Sequence, residues 1–302
     1  MIVDAMVIPK LFNDFLNHMS VMGKSSHTIK SYKLNLELWN TYEQFATDVT
    51  PECIGNIRHA DIYKFIAQSQ KRNGDNISAS TAKIIMSAIK SFYTYLVDMD
   101  LIATNPMIGL KSPKAGKRLP KFLEEKDMIR LLKSVNNNNS DFPERDRAIL
   151  TLFLNTAIRK NELVSINITD ISSENSLIVN GKGNKEREIP LSPSCVKAIE
   201  EYKKTNDKRT SQALFINKDG ERLGNSGVTH VVKKYLNIIG KGDLSTHKLR
   251  HSCLTNLVAN GTDIRTVQEI AGHENIMTTS LYLHVSNKTK KKAVMNTALA
   301  NI

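Results

Sequence analysis

Between Ser245 and Val285 the chain reads STHKLRHSCLTNLVANGTDIRTVQEIAGHENIMTTSLYLHV. The stretch holds four of the eight histidines (His247, His251, His273, His284), together with Arg250, Arg265 and Tyr282. These residue types bind anions and move protons. Arginine presents a planar fork that fits phosphate oxygens in pairs. Histidine donates a hydrogen bond or carries a proton near neutral pH. Tyrosine, with an ordinary pKa of about 10, becomes a competent nucleophile once a base takes its proton and cations hold its target. No paired carboxylates stand among them, which argues against a Mg²⁺ phosphoryl site. The set suits covalent attack on a phosphodiester whose charge is neutralised by side chains, without metal or cofactor.

Those groups must be held by helix ends. His247 and Arg250 are three apart and share one face of a helix beginning near Ser245 or Thr246. Leu249, Leu254, Leu257 and Val258 supply its buried side, and Gly261 stops it. TDIRTVQEIAG predicts a second short helix, with Thr262 as cap and Gly272 just past its end. His273 falls in the turn that follows, and TTSLYLHV is a third helical piece carrying Tyr282. Further upstream, EEKDMIRLLKSV and the apolar ERDRAILTLFLNTAI read as helices. The second ends where Arg159 appears, and RKNELVSI opens another turn. SLIVNGKGNKEREIPLS alternates around a glycine-rich turn, the mark of a β-hairpin. Helices resume with PSCVKAIEEYKK and NSGVTHVVKKYLNIIG.

The first third reads as four helices. Leu11, Phe12, Phe15, Leu16 and Met19 form one stripe, closed by Gly23. Ile29, Tyr32, Leu36, Trp39 and Tyr42 form another. RHADIYKFIAQSQKRNG is a third helix. The fourth starts after Ser78 and shows Ile84, Ile85, Ala88, Phe92, Tyr95 and Leu96. The aromatics Trp39, Phe92 and Tyr95 are expected in the core rather than stacked on bases. The chain of 302 residues suits two domains. These are a helical domain over 1–108 and a second domain over 123–302. Between them lies a linker, 109–122, broken by Pro113, Pro120 and Gly116. The expected class is mainly α with a small β-hairpin.

The formal charge of +12 is unevenly placed. Residues 1–110 hold ten basic and ten acidic side chains, so the remaining 32 basic and 20 acidic lie beyond them. Lys111, Lys114, Lys117, Arg118 and Lys121 crowd the linker, and Lys288, Lys290, Lys291 and Lys292 the tail. A field of this sign favours a polyanion, with nucleic acid first. A charged, proline-broken linker can lie along a phosphate backbone. Cys53, Cys195 and Cys253 are far apart and read as free thiols. With no signal peptide or membrane-length apolar run, the reading is a soluble, cytoplasmic protein.

Five elements in order carry a family resemblance. HKLRH, AGH and SLYLHV resemble the C-terminal signature of the tyrosine recombinases, or phage-type integrases. TAIRKNELVSI resembles their first arginine box and VNGKGNKEREIPL their β-hairpin, while the first domain resembles the core-binding domain of Xer-like members. TAIR departs from the glycine many members place before the hydrophobic residue, and leaves the arginine in register. No additional N-terminal arm-binding domain is read, which favours the two-domain Xer-like form.

The resemblance implies a role for each residue. Arg159 and Arg250 grip the scissile phosphate, and Tyr282 attacks it to leave a 3′-phosphotyrosine. Lys182 at the hairpin tip protonates the leaving 5′ oxygen, His247 is the base for the tyrosine, and His273 hydrogen-bonds the phosphate. Glu162, one turn after Arg159, braces the site. Lys185 and Arg187 of the hairpin join the linker cations as DNA contacts. Double-stranded DNA is the partner, bound by a homo-tetramer on two sites, with or without a partner recombinase. The apolar half of the tail (Val294, Met295, Leu299) docks on a neighbour or folds back. Singly, these residues read more plainly: Arg159 as a helix-end cation, Lys182 as a charged turn, His247 and His251 as a spacing that could hold zinc. Two rival functions stay open, a type IB topoisomerase-like enzyme and a catalytically silent DNA-binding protein of the same fold.

Overall fold

The computed structural model describes residues 7–40, 54, 57–69, 74–113, 121–136, 140–181, 186–205, 209–273 and 275–280. The chain divides into two compact units, Met1–Arg118 and Leu119–Ile302. Among the described residues no helix is long and apolar enough to cross a membrane.

The first unit is helical: α1 (Val7–Val21), α2 (Ser26–Asn40), α3 (His59–Gln68) and α4 (Ala79–Asp98). Each sends its apolar stripe into one core. Phe12, Phe15 and Met19 come from α1, Leu36 and Trp39 from α2, Ile62 and Phe65 from α3, and Ile85, Ile89, Phe92 and Leu96 from α4. Trp39 meets Phe65 edge-on at 4.7 Å, and Phe12 meets Phe92 at 4.8 Å. Such aromatic pairs add about 0.5–1.5 kcal/mol beyond the area they bury. Ser78 caps α4 by accepting from the Thr81 N–H. Ile84 does not belong to the stripe and is exposed. It sits one residue, about 100°, off the line through Ile85, Ala88 and Phe92. Tyr42 lies outside the described residues.

The end of the expected first domain is held by a buried Met107 and by the Ile108 carbonyl, which bonds with His59 Nε2. Within the expected linker, the Lys111 backbone bonds through both its N–H and its carbonyl with the Tyr63 hydroxyl, so the linker's first residues are fixed on this unit.

The second unit orders its elements as α5 (Glu125–Lys133), α6 (Pro143–Thr156), α7 (Lys160–Ser165), β1 (Ser176–Asn180), β2 (Glu186–Pro190), α8 (Pro193–Lys203), α9 (Asn225–Ile238), α10 (Thr246–Ala259), α11 (Ile264–Ala271) and α12 (Ile276–Ser280). The middle of α6 (Ala148, Ile149, Leu152, Phe153) is fully buried, and α5, α8, α9 and α10 pack against it. The two strands form an antiparallel hairpin with Leu177 opposite Ile189 and Val179 opposite Arg187. Leu177, Val179 and Ile189 face inward and Ile178 outward, as the period of two demands. Between α8 and α9 the chain makes only isolated bridges among the described residues, Asn167 with Ala213 and Ile216 with Arg222. That segment still sends Leu214 and Phe215 into the core.

Candidate active site

Three breaks in helices build the site. The first follows α6. Ala157 adopts the left-handed conformation (φ 50°), which halts the helix and turns the chain so that Arg159 opens α7. The second is the start of α10, where His247 and Arg250 share the face foreseen from their spacing. The third is the end of α11. Asp263, rather than Thr262, caps that helix, its carboxylate accepting from the Arg265 and Thr266 N–H groups. A carboxylate suits the positive end of a helix better than a hydroxyl. Gly272 closes α11 in the left-handed region (φ 59°), and His273 follows with its N–H donating to the Gln268 carbonyl.

The end of α11 is the hub. Its last carbonyls have no partner inside the helix and carry the negative end of its dipole. Three arginines from distant segments fill them in succession. Arg187 donates through Nε to the Ile270 carbonyl at 3.1 Å, Arg250 through Nη2 to Ala271 at 2.5 Å, and Arg159 through Nη2 to Gly272 at 2.8 Å. Arg250 also donates through Nη1 to the Ala157 carbonyl, so the two left-handed breaks are tied together.

Glu162 braces the cluster. It accepts from the Arg159 N–H (2.8 Å) and Nη1 (2.7 Å), and from both terminal nitrogens of Arg187 (3.0 and 2.8 Å). Burial by itself would raise its pKa, but the hydrogen bonds and charges of the two arginines outweigh this and hold it at about 2.

His273 is pushed the other way, down to about 4, first by burial and then by Arg250, Arg159 and Arg187. It is therefore neutral at pH 7. Its Nε2 lies 3.0 Å from Arg250 Nη2, which can only donate, so Nε2 accepts and Nδ1 carries the proton toward Thr279 Oγ1 at 2.9 Å. His273, expected to hydrogen-bond the phosphate, thus lies against the Arg250 guanidinium in the same cluster. The His247 pKa is also lowered, by burial and then by Arg250, Lys248 and Arg159, which leaves a neutral ring able to accept a proton.

Arg159, Arg250, His247 and Glu162 line one cavity of about 600 Å³, whose wall also includes Asn180 and Gly181 at the end of β1. Gly181 immediately precedes Lys182, which with Tyr282, Lys185, Lys114, Lys117 and Arg118 lies outside the described residues. Lys111 is exposed on the first unit, and Lys121 is exposed on the second, paired with Asp243 at 2.5 Å.

Arg187 was expected among the DNA contacts. Its side chain is 13% exposed and is given over to Glu162 and the Ile270 carbonyl. The signal was present in the sequence. On β2, Arg187 alternates with Ile189 on the core face, opposite the buried Val179.

His251 faces Thr255 and the ring of Phe122, and no cluster of three or more metal-type ligands occurs among the described residues. Cys195 and Cys253 are buried thiols, and burial pushes Cys253 up to about 12.

Comparison with known proteins adds a second line of observation. Residues 121–289 match the phage integrase family model, and residues 12–99 match the N-terminal SAM-like domain model of phage integrases. A tyrosine recombinase XerC from Caldanaerobacter subterraneus subsp. tengcongensis is 35% identical over 99% of this chain and 89% of its own. One from Staphylococcus aureus is 35% identical over 93% of this chain and 94% of its own. In fold, the chain is similar to XerH recombinase bound to its difH substrate after cleavage (TM-score 0.74, 22% identity, 89% of this chain and 79% of that one). It is also similar to the Tn1549 transposon integrase bound to circular-intermediate DNA (TM-score 0.72, 18% identity, 95% and 99%).

Proposed function

The chain belongs to the phage integrase family of tyrosine recombinases, and on that premise we propose that it breaks and rejoins DNA at a specific site with Arg159 and Arg250 holding the scissile phosphate. The observation that carries this reading is the convergence of two guanidiniums and a neutral His247 on one cavity. Each guanidinium is anchored on a helix-end carbonyl, so neither reorganises much when charge builds on the phosphorus. That is how preorganised donors lower a barrier. His247 takes the phenolic proton of Tyr282, whose oxygen attacks phosphorus and leaves a 3′-phosphotyrosyl bond. Lys182, the residue that follows Gly181 in sequence, gives the departing 5′ oxygen its proton. The energy of the broken bond stays in the covalent link, and a 5′ hydroxyl from another strand reverses the attack without ATP.

Double-stranded DNA is the partner in this reading. Lys111, Lys114, Lys117, Arg118, Lys121 and Lys185 supply the phosphate contacts that fix register. Four such chains on two duplexes cut the four strands of an exchange. The tail, 287–302, links neighbours in the ring. Removing the tail is expected to leave single-site binding intact and abolish recombination; recombination at the full rate would rule the tail contact out.

The decisive experiment begins with cells expressing the full chain. DNA left covalently attached to the protein is sequenced, and a duplex of that sequence, nicked beside the cleavage point, serves as substrate. Wild-type protein is expected to accumulate a phosphotyrosyl adduct, and Tyr282→Phe to bind without forming one. An adduct that survives the substitution would contradict the assignment of the nucleophile. Relaxation of plasmids of random sequence would favour the topoisomerase-like rival.

A further inference from the structure

We propose that Arg187 is a positioning residue for strand cleavage, which sets the two phosphate-gripping arginines by holding Glu162 and the end of α11 at once. All three nitrogens of its guanidinium are used in that task. Nη1 and Nη2 take the two oxygens of Glu162 side by side, and Nε takes the Ile270 carbonyl. The carboxylate it holds is the one that fixes Arg159, through both the backbone N–H and Nη1. The helix end it holds presents the next two carbonyls, Ala271 and Gly272, to Arg250 and Arg159. One side chain thus stands behind both.

Packing supports the same assignment. A β-carbon at Gly272 would lie 3.2–3.3 Å from three atoms of the Arg187 side chain, so the guanidinium lies against the backbone of the turn. Arg187 also belongs to β2, paired with Val179 of β1 one rung from the last pair before the turn, and so joins the turn end of the hairpin to the arginine cluster. An arginine is required there by geometry: only a planar fork meets two carboxylate oxygens and a carbonyl together. Lysine keeps the charge and loses the fork.

The inference rests on the proposed role of Arg159 and Arg250, and the test separates the two. The nicked duplex recovered above is used with full-length protein, in single turnover at saturating protein. Arg187→Gln is expected to slow adduct formation by about a hundredfold, the scale of a small misplacement of a catalytic group. The dissociation constant for DNA, and the slope of its logarithm against that of salt concentration, should not change. A phosphate contact would behave oppositely, lowering that slope by about 0.9 on removal. Because Arg187 acts in part through Glu162, its loss should cost clearly less in a Glu162→Gln background than in the wild type, the remainder being its hold on the Ile270 carbonyl. Arg187→Lys should recover part of the rate, and it serves as the primary variant should the glutamine form fail to fold.

A wild-type cleavage rate in either folded variant overturns the proposal. So does a reduced salt slope, or full additivity with Glu162→Gln. Arg159→Ala marks the boundary between the two readings. If that variant still forms the adduct at the wild-type rate, the function reading falls. If it loses the adduct while Arg187→Gln cleaves normally, only the positioning role falls.

Discussion

Two buried ionic clusters among the described residues of the second unit are balanced differently. In the first, Asp146 on α6 accepts from Arg145, Ser140 and the Tyr235 hydroxyl, and Arg145 also donates to the Ile216 carbonyl. One cation meets one anion, both almost wholly buried. In the second, Arg159 and Arg187 hold the single carboxylate Glu162 while Arg250 is met by backbone carbonyls, and the excess positive charge lines a cavity. Burial of charge costs several kcal/mol per ion unless it is matched. The first cluster repays this within itself and fixes the fold. The second leans on backbone carbonyls and on an open face where an anion can enter. Charge left in excess beside a cavity distinguishes a site from a strut.

Breaking each cluster should therefore give opposite signatures. Asp146→Ala leaves Arg145 buried without its carboxylate, and is expected to destabilise the protein by about 3–5 kcal/mol. The protein that remains folded should cleave DNA normally, as urea titration and adduct formation together will show. Arg159→Ala is expected to cost about 2.7–4 kcal/mol of transition-state stabilisation, a hundredfold to thousandfold loss of cleavage rate. It should change stability much less, because the side chain keeps 38% of its exposure. Equal losses of stability in the two variants would erase the distinction.

Gly272→Ala sharpens the comparison at smaller scale. A left-handed backbone conformation with a β-carbon costs about 1–3 kcal/mol, and the methyl would press on Arg187. Cleavage should fall with stability, because the carbonyl at this residue holds Arg159.

A pH titration gives an effect of definite sign. The His273 pKa is depressed to about 4 in the folded protein, against about 6.5 for an unperturbed histidine. The unfolded chain then binds more protons between those values, so stability rises with pH across that window. The contribution is complete above about pH 6.5 and is lost as pH falls toward 4. His273→Gln should flatten the fall of the urea midpoint in this range, and an unchanged slope would refute the depressed value. The contribution of Glu162 lies lower. Its carboxylate is held at about 2, so its stabilisation is lost only as pH drops from about 4.5 toward that value.

The apolar half of the molecule could be read from one dimension and the ionic half only in part. The stripes of α1 and α2 announce Phe12, Phe15, Leu36 and Trp39 as core, because a period of 3.6 is local. The same rule mislaid Ile84, since two adjacent isoleucines cannot both lie on one narrow stripe. The hairpin and its inward Leu177 and Ile189 also follow from a local period. The pairing of His247 with Arg250 follows from spacing, and the link of Arg159 to Glu162 is a matter of one helical turn. What spacing does not carry is the anchoring of Arg159 on Gly272, 113 residues away, or of Arg250 on Ala157, 93 residues away. Those bonds end on backbone carbonyls, which every residue possesses and no sequence pattern marks. Arg187 falls between the two cases: its alternation with Ile189 marks the core face, but its partners Glu162 and Ile270, 25 and 83 residues away, carry no mark in the sequence.

The central claim is that Arg159 and Arg250 neutralise the charge of one phosphate. A duplex with an uncharged methylphosphonate in place of the scissile phosphate tests it most directly. If the arginines serve that charge, Arg159→Ala and Arg250→Ala should cleave the neutral substrate much nearer the wild-type rate than they cleave the native one. Variants as deficient on the neutral linkage as on the charged one would show that the guanidiniums do something else.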